Sequence, residues 1–293
     1  MFKHFQKSTE TAKRPDSIYL FSNGPPYILY VHQRKGGLNM NIKLIRNATI
    51  VVEYAGKKFL IDPYLGEKGA YAPFPAGIRE DQSNPIIDLP MPIDEIISDI
   101  DAVIVTHLHD DHWDAKAKEV LPKDIKVFSQ NEEDAKQIRN DGFQNVEVLQ
   151  TVTTFEGIQL VKTKGEHGRG EEILEICGPV CGVVFKHASE KSVYVAGDTV
   201  WYEGVQEELD AHTPEIIVLN GGDNQWQSYG SLIMGKEDIY EVHKATPSAQ
   251  LITVHMEAVN HWTLSRKELK DFANEKGFAS SLLVPEDGES YSF

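Results

Sequence analysis

The sequence predicts an α/β fold, and three observations support this prediction. From residue 93 onward, short apolar runs alternate with amphipathic helical segments, which is the pattern of an α/β domain. Several apolar runs end at a histidine or an aspartate, as strands do when their carboxyl ends hold a ligand site. The length of 293 residues is sufficient for one large core.

The first elements predicted along the chain are β-strands. Residues 42–46 and 49–54 are mostly apolar and β-branched, and Ala55-Gly56-Lys57 indicates a hairpin turn into a third strand over 58–63. Residues 66–92 are rich in proline, glycine and aromatic residues and show no periodicity, which predicts a long loop. Long ordered loops in compact domains are often functional, so we expect this loop to lie over the site.

From residue 93 the pattern alternates between strands and helices. Further strands are predicted at 103–106, 126–129, 146–149, 158–163, 182–186, 192–196, 215–220, 250–254 and 281–284. Helices are predicted at 114–121, 131–140, from 205, at 237–245 and at 265–277. Asn131 is the predicted N-cap of the second of these helices, and Ser265 with Glu268 forms a capping box at the start of the last.

Residues 1–39 differ from the rest of the chain. They are polar and patchy, and Gly24-Pro25-Pro26 and Gly36-Gly37 break any regular structure. We therefore expect an N-terminal extension over 1–39 and one domain over 40–293.

The charge and the apolar pattern exclude several classes of function. The chain carries 29 basic and 45 acidic residues, a net charge of −16, whereas a protein that binds nucleic acid needs a basic stripe. No apolar run approaches the ~18 residues of a membrane span. We expect a protein that acts on a small molecule, without nucleic acid or membrane as a partner; a homo-oligomer is allowed.

The two cysteines, Cys177 and Cys181, have no second pair with which to complete a zinc site. They are interpreted as reduced thiols in a cytoplasmic protein, with a disulfide between them as the alternative. The N-terminus has no long apolar stretch of the kind that signal peptides contain, which also favours the cytoplasm.

The most informative segment is Thr106-His107-Leu108-His109-Asp110-Asp111-His112, which directly follows an apolar strand. Imidazole and carboxylate are the ligands that zinc, manganese and iron accept at neutral pH. In an extended segment alternate side chains point the same way, so His107 and His109 can face one ion. Asp111 and His112 lie on the turn beyond and can face a second ion.

Three further ligand-type residues occur later in the chain. His167 is flanked by glycines after a predicted strand, and Asp198 and His255 each follow an apolar strand. Side chains at the carboxyl ends of different strands converge in open α/β sheets, so these residues are candidates for the same centre. His261 follows His255 closely and remains an alternative for the last position, or a hydrogen-bond partner of a ligand.

Together these residues resemble the metallo-β-lactamase superfamily of binuclear metallohydrolases. In that family an H-x-H-x-D-H motif is followed by a lone histidine, a Gly-Asp-Thr-type aspartate and a final histidine, and this order occurs here over about residues 40–285. The resemblance implies a four-layer αββα sandwich with two divalent ions, zinc first, with manganese or iron as alternatives. By position, the first metal is held by His107, His109 and His167, the second by Asp111, His112 and His255, and Asp198 bridges them.

The resemblance also implies a mechanism. Two ions about 3.5–4 Å apart activate a bridging water, and Asp111 orients the resulting hydroxide and moves its proton. The expected function is hydrolysis of a small ester, lactone or phosphoester, with an anionic substrate allowed. Fragments such as Ile61-Asp62-Pro63 and Asn260-His261-Trp262, with Arg266, resemble the branch that includes L-ascorbate-6-phosphate lactonase-like hydrolases.

Other functions and other residues remain open on the sequence. A non-catalytic metal-binding sensor or accessory protein of the same fold is one alternative, and a nuclease or phosphodiesterase of the superfamily is another. A diiron redox enzyme is less consistent with the histidine-rich set. Trp201, Tyr202 and the run from Asn220 to Trp226 are candidate substrate contacts, with packing as the alternative role, and Lys164 and Arg169 beside His167 could meet an anion or solvent.

Overall fold

The computed structural model describes residues 40–75 and 77–293, so the predicted extension over 1–39 lies outside the described residues. The strands are β1 Asn41–Arg46, β2 Thr49–Tyr54, β3 Lys57–Ile61, β4 Ala102–Val105, β5 Lys126–Ser129, β6 Asn145–Val148, β7 Thr153–Phe155, β8 Ile158–Lys164, β9 Cys181–Lys186, β10 Val193–Val195, β11 Ile216–Asn220, β12 Gln225–Trp226, β13 Gly230–Ser231, β14 Gln250–Val254, β15 Leu282–Leu283 and β16 Ser290–Ser292. The α-helices are α1 Ile93–Ile96, α2 Ala115–Val120, α3 Glu132–Asn140, α4 Glu171–Cys177, α5 Glu203–His212, α6 Lys236–Ala245 and α7 Arg266–Lys276.

Two seven-stranded sheets form the centre of the domain. The first has the order β16-β1-β2-β3-β4-β5-β6, and the second has the order β15-β14-β11-β10-β9-β8-β7. Strands β3 to β6 are parallel in the first sheet, and β10, β11, β14 and β15 are parallel in the second. Because β9 is antiparallel to both β8 and β10, β8 runs in the same direction as β10.

The alternation of buried side chains produces four layers. In β4, Ala102 and Ile104 belong to the core between the two sheets, whereas Val103 and Val105 face a second core that includes residues of α2 and α3. In β11, alternate residues likewise divide between the central core and a third core that includes residues of α5, α6 and α7. Strands covered on both faces are apolar throughout, as these sequences are. The architecture is the predicted αββα sandwich.

The predicted capping residues lie at the start of α3 and at the start and end of α7. Asn131 accepts a hydrogen bond from the backbone N–H of Asp134 at the start of α3. The side chain of Ser265 and that of Glu268 form the complete capping box of α7, and Gly277 ends that helix with a φ of 80°. These contacts satisfy backbone groups that a helix end leaves unpaired.

The structure adds elements that the sequence did not predict. Helix α4 begins at Glu171, after the turn that follows His167, and β7 extends the second sheet at its edge. The segment after the last predicted strand contains β16, which pairs antiparallel with β1. In β16 the polar Ser290 and Ser292 alternate with Tyr291, so this edge strand gives no apolar signal.

The long loop over residues 66–92 is held by side-chain hydrogen bonds, with α1 beginning only at Ile93. The carboxamide of Asn260 accepts from the backbone N–H of Phe74 at 2.9 Å and donates to the carbonyl oxygen of Phe74 at 3.0 Å. It also accepts from the side chain of Asn84 at 2.9 Å. At Gly77, a Cβ atom would lie 2.6 Å from the Asn260 amide nitrogen, so only glycine permits this close approach.

Both cysteines are free, which agrees with their interpretation as reduced thiols. Among the described residues, no helix has the length and apolarity that crossing a membrane requires.

The contact between the two sheets depends on Phe185 of β9. Its ring is fully buried and packs on Tyr54 and Phe59 of the first sheet, with centroid distances of 5.5 and 5.1 Å. We expect Phe185→Ala to lower the free energy of unfolding by about 3–5 kcal/mol, because it opens a cavity between the sheets. Val152→Ala is the control, since Val152 is 51% exposed and its truncation should change the stability by less than about 0.5 kcal/mol. Equal effects in urea unfolding of the two variants would contradict this packing.

Candidate metal centre

Seven side chains meet where the carboxyl ends of strands from both sheets lie together. β4 of the first sheet leads into the segment 107–112, and β8, β10 and β14 of the second sheet lead to His167, Asp198 and His255. Within each of three groups the candidate ligand atoms lie within 4.8 Å of one another. The first group is His107, His109 and His167, the second group is Asp111, His112 and His255, and the central group is His107, His112 and Asp198.

One oxygen atom of Asp198 lies at the middle of this arrangement. Asp198 Oδ2 is 3.2 Å from His112 Nε2, 3.4 Å from His167 Nε2, 3.8 Å from His255 Nε2 and 3.9 Å from His107 Nε2. Two of these nitrogens belong to the first group and two to the second. A single carboxylate oxygen therefore lies between the two groups, which is where a bridging ligand has to be.

The orientation of Asp198 is fixed by its neighbours. Asn220, at the end of β11, donates to Asp198 Oδ1 at 2.6 Å, which leaves Oδ2 for the centre. Gly197 has a φ of 70°, and a Cβ at this position would lie 2.4 Å from the carbonyl oxygen of Cys181. Asn220, a candidate substrate contact on the sequence, thus hydrogen-bonds to the central carboxylate.

His112 is oriented by a buried carboxylate behind it. Asp62 Oδ2 lies 2.9 Å from His112 Nδ1 and also accepts from the Thr106 hydroxyl at 2.7 Å. Asp62 Oδ1 accepts from the backbone N–H of Thr106 at 2.8 Å. Asp62 has a φ of 47°, a strained conformation for a residue other than glycine. These contacts hold the His112 ring so that Nε2 faces Asp198.

His167 is held in the same way through its Nδ1 atom. This atom lies 2.9 Å from the carbonyl oxygen of Leu232, which accepts its proton and leaves Nε2 free for the centre. The next residue, Gly168, has a φ of 120°, and a Cβ there would lie 2.9 Å from Ile173 of α4. The glycine that flanks the histidine therefore permits the tight turn from β8 into α4.

His255 and His261 occupy different positions. His255 belongs to the second group, with Nε2 3.2 Å from Asp111 Oδ2 and 3.2 Å from His112 Nε2. His261 belongs to none of the three groups. Instead, Asn224 Nδ2 lies 3.2 Å from both His255 Nδ1 and His261 Nε2 and joins the two rings. His261 also packs edge-on against Phe74.

The charges in the centre depend strongly on one another. Burial opposes ionisation of Asp198, but the imidazoles of His112, His255 and His167 outweigh it and hold the pKa of Asp198 well below its usual range. Burial also opposes the charge on His112, but the carboxylates of Asp198, Asp111 and Asp62 raise the pKa of His112 well above its ordinary value. The buried carboxylates therefore require a positive charge beside them.

The other histidines of the segment stay neutral. Burial, reinforced by the neighbouring histidines, lowers the pKa of His107 well below its ordinary value. Burial and His167 lower the pKa of His109 to about 4. A neutral imidazole has the free lone pair that metal binding requires.

The donor atoms fit divalent metal ions. His107 Nε2 is buried and has no hydrogen-bond partner in the protein, and two imidazole nitrogens of the second group face each other at 3.2 Å. If both facing nitrogens carried a proton, the two protons would repel each other. A cation between the nitrogens instead interacts favourably with both lone pairs. An ion there also supplies the positive charge that His112 otherwise carries. Nitrogen and carboxylate donors without sulfur suit zinc, manganese or iron.

A cavity of about 280 Å³ opens above the centre. Its floor includes His109, Asp111, His167 and Asp198. Three segments supply most of the remaining wall, namely the long loop, helix α4 and the β12–β13 region. Their lining residues are Phe74 and Pro75 of the loop, Ile176 and Cys177 of α4, and Gln225, Trp226 and Leu232 of the β12–β13 region. The wall is completed by Leu108, Asp110 and His261. The long loop thus lies over the centre, as predicted.

Several candidate residues lie away from the cavity. Trp201 and Tyr202 are not among its lining residues, and both pack against the core that contains α5 and α6. Arg169 Nη2 lies 2.7 Å from both carboxylate oxygens of Asp238, and Arg169 Nη1 donates to the carbonyl oxygen of Trp201. Lys164 does not line the cavity either. None of these four residues lines the cavity, and the contacts of Trp201, Tyr202 and Arg169 are made with other parts of the protein.

Cys177 is a possible nucleophile in the cavity wall. Burial, and then the negative charge of Asp198, raises the pKa of the Cys177 thiol to about 11. At neutral pH the thiol is protonated, and the protonated form is a poor nucleophile. The reactive oxygen of a hydrolytic reaction therefore has to come from water.

The different positions of His255 and His261 lead to a test by metal content. We expect His255→Ala to bind about one metal per chain, because it removes a member of the second group. His261→Ala should keep about two metals per chain. It should lose ~10–100-fold in activity or in metal affinity, as is typical when a residue that hydrogen-bonds near a ligand is removed. His187→Ala, in a turn after β9, is the control. Elemental analysis after dialysis distinguishes the variants, and reversed occupancies would exclude this placement of the second group.

Comparisons with known proteins agree with the fold and the chemistry. Residues 57–256 match the model of the β-lactamase superfamily domain. The chain is 69% identical over 254 residues to the UPF0173 protein YddR of Bacillus subtilis strain 168, which covers 87% of this chain and 100% of the relative. It is therefore similar to a bacterial protein over nearly all of the described domain.

Two solved structures are similar in both sequence and fold. The isothiocyanate hydrolase from Delia radicum gut bacteria is 43% identical, with a TM-score of 0.84, covering 87% of this chain and 99% of that protein. A possible metal-dependent hydrolase from Veillonella parvula DSM 2008 is 37% identical, with a TM-score of 0.85, covering 87% of this chain and 100% of that protein. The chain belongs to the metallo-β-lactamase superfamily and is a hydrolase of that fold.

Proposed function

We propose that the protein is a binuclear metal-dependent hydrolase of small, neutral, largely apolar electrophiles, of which isothiocyanates are the leading class. The observation that carries this proposal is the position of Asp198 Oδ2 between the two groups of histidines at the floor of an apolar cavity. The first metal is assigned to His107, His109 and His167. The second is assigned to Asp111, His112 and His255, with Asp198 bridging.

Divalent ions held by these residues would lower the proton affinity of a water molecule and so supply hydroxide near neutral pH. The protein's own part is to place that water and to move its protons. Asp111 lies both in the second group and in the cavity wall, so its carboxylate can orient the water and take its proton. Zinc is the first choice of metal, since a centre of nitrogen and oxygen donors suits it.

The cavity wall argues for a neutral substrate. Among the described residues, no lysine or arginine lines the cavity, and its charged residues are the aspartates Asp110, Asp111 and Asp198. Asp110 is exposed at the mouth and would repel an anion. A phosphorylated lactone, as in the branch that the sequence resembles, would meet no cationic side chain for its phosphate. A volume of about 280 Å³ lies at the small end of ligand pockets.

Isothiocyanates have the properties that this cavity selects. They are uncharged, have an apolar substituent and carry an electrophilic carbon between nitrogen and sulfur. The similarity to an isothiocyanate hydrolase over 87% of the chain supports the same class here. The protonated state of Cys177 is also useful with such a substrate, because a thiolate in the wall would add to its central carbon and be thiocarbamoylated.

The proposed reaction converts one isothiocyanate and one water into an amine and carbonyl sulfide. The water oxygen bonds to the central carbon, the electron pair of the C=N π bond moves to nitrogen, and the proton first taken by Asp111 is passed to that nitrogen. The C–N bond of the resulting thiocarbamic acid then breaks as the hydroxyl proton moves to nitrogen. No oxidant, reductant or further reactant is needed.

The alternatives are less consistent with the site. A sensor does not need an open cavity directly above a complete set of ligands. A nuclease needs cations along its groove, whereas the cavity is lined by acidic and apolar residues and the chain carries −16. Two unpaired cysteines fit a reducing compartment, and we propose the cytoplasm as the location.

The proposal is tested by metal analysis together with a panel of substrates. We expect about two metals per chain and turnover of benzyl isothiocyanate well above that of p-nitrophenyl phosphate, a neutral lactone and a thioester. Removing a residue that only hydrogen-bonds to a metal ligand typically lowers activity by up to ~100-fold. Asp198→Ala should lower kcat/KM for the isothiocyanate by more than this, since it removes the proposed shared ligand itself. Asp210→Ala, an exposed aspartate of α5, is the control and should be unaffected.

Each part of the proposal can fail separately. Metal-free protein under metal-replete conditions would exclude the binuclear centre. Two metals with turnover of the lactone or the phosphate but not of the isothiocyanate would exclude the substrate class alone. An Asp198→Ala variant with full metal content and near-normal rate would show that another residue bridges.

The charge at the cavity mouth gives a test of specificity. Asp110→Lys reverses the charge at an exposed position that belongs to none of the three ligand groups. We expect it to raise the ratio of activity on 4-carboxybenzyl isothiocyanate to activity on benzyl isothiocyanate by several-fold, more at low salt, since exposed charges are screened. Asp110→Asn should give a smaller change in the same direction. An unchanged ratio in both variants would show that Asp110 does not select substrates.

A further inference from the structure

Asn47 lies in the tight turn between β1 and β2, at the edge of the first sheet where the centre is built. The residue is buried, with a relative exposure of 1%, and has a φ of 57°. Asparagine adopts this left-handed conformation more readily than other residues with a side chain. The conformation directs the polar side chain of Asn47 to the ligands of the second group.

The contacts of Asn47 are all made with two members of that group. Its side-chain nitrogen Nδ2 lies 3.2 Å from the backbone oxygen of Asp111 and 3.2 Å from Asp111 Oδ2. The same nitrogen lies 3.4 Å from His255 Nε2. The backbone oxygen of Asn47 accepts the N–H of His255 at 2.8 Å. One turn residue thus contacts a ligand that follows β4 of the first sheet and a ligand that follows β14 of the second.

The two acceptors on Asp111 fix the orientation of the carboxamide. Both the carbonyl and the carboxylate oxygen of Asp111 need a donor, which Nδ2 supplies with its two protons. The opposite orientation would place Asn47 Oδ1 against these oxygens. Asp111 Oδ2 is also the atom that lies 3.2 Å from His255 Nε2. A carboxylate oxygen has two lone pairs, so it can accept from Asn47 and bind a metal at the same time.

We propose that Asn47 is a positioning residue for the second metal: its amide holds Asp111, and its backbone carbonyl holds His255, at the separation that the ion requires. This inference rests on the proposed binuclear function. It assigns the side chain a role in metal affinity, because hydrogen bonds to ligating carboxylates orient them and their loss typically costs ~10–100-fold in metal affinity or activity.

The test compares metal binding in four forms of the full chain: wild type, Asn47→Gly, Asn47→Ala and Asp99→Gly. Glycine accepts a positive φ without strain, so Asn47→Gly removes the amide and keeps the turn. Alanine removes the amide and strains the turn. Asp99 has a φ of 58° and lies on the surface, so Asp99→Gly is a matched control for removing a polar side chain from such a conformation. Chelator-treated protein is titrated with Co²⁺ and followed by its visible absorption, with zinc content measured in parallel.

We expect all four forms to bind the first equivalent equally. The second equivalent should bind ~10–100-fold more weakly in Asn47→Gly and Asn47→Ala, and as in wild type in Asp99→Gly. Excess metal should restore the second set of cobalt bands in Asn47→Gly, which a purely structural defect would not allow.

The outcomes that overturn the inference are distinct. Normal binding of both equivalents by Asn47→Gly would exclude a role for the amide, whether or not Asn47→Ala is defective. Loss of both equivalents, or of the native circular dichroism spectrum, in both variants would assign Asn47 to the fold rather than to the metal. Fewer than two equivalents in wild type would instead remove the binuclear proposal on which the inference rests.

Discussion

The structure depends on one electrostatic constraint, which is the burial of several carboxylates among histidines at the meeting point of two sheets. Asp198, Asp111 and Asp62 are each 5% exposed or less, and His112 lies within hydrogen-bonding distance of both Asp62 and Asp198. Burying such charges is costly unless a positive charge accompanies them. In the proposed mechanism, divalent metal ions would meet that requirement, and the same positive charge would activate water. On the same proposal, the cavity above the centre selects the electrophile that reaches the water.

The strand directions bring these groups to one place, and unusual backbone conformations at three residues orient them there. β8, β10, β11 and β14 end at one edge of the second sheet, and β3 and β4 end at the facing edge of the first. Asp62, Asn47 and His255 all have φ values between 47° and 58°. Such conformations are uncommon for residues with side chains, and the buried positions Asp62, Asn47 and His255 all lie at the centre. The two cores of apolar side chains on the faces of each sheet support these positions.

Much of this arrangement follows from local sequence signals. Strand β5 has the predicted limits, and the capping box at Ser265 and Glu268 begins α7 as expected, because both depend on neighbouring residues. The segment His107 to His112 could be recognised from its own spacing. Helix α4 was missed because it has only seven residues and follows a glycine-rich turn, although it supplies part of the cavity wall. Trp201 and Tyr202 follow Asp198 closely, yet the chain turns there towards α5, and both side chains are only partly buried against the core that contains α5 and α6. Asn47 contacts Asp111 and His255 at separations of 64 and 208 residues, which no periodicity reveals.

The central claim is that two metal ions share the Asp198 carboxylate, and anomalous diffraction from crystals of the zinc-loaded enzyme tests it most directly. The account predicts two peaks at the zinc edge about 3.5–4 Å apart, one beside His107, His109 and His167 and one beside Asp111, His112 and His255, with an Asp198 oxygen between them. A single peak under saturating zinc, or two peaks of which one has no contact with Asp198, would contradict it.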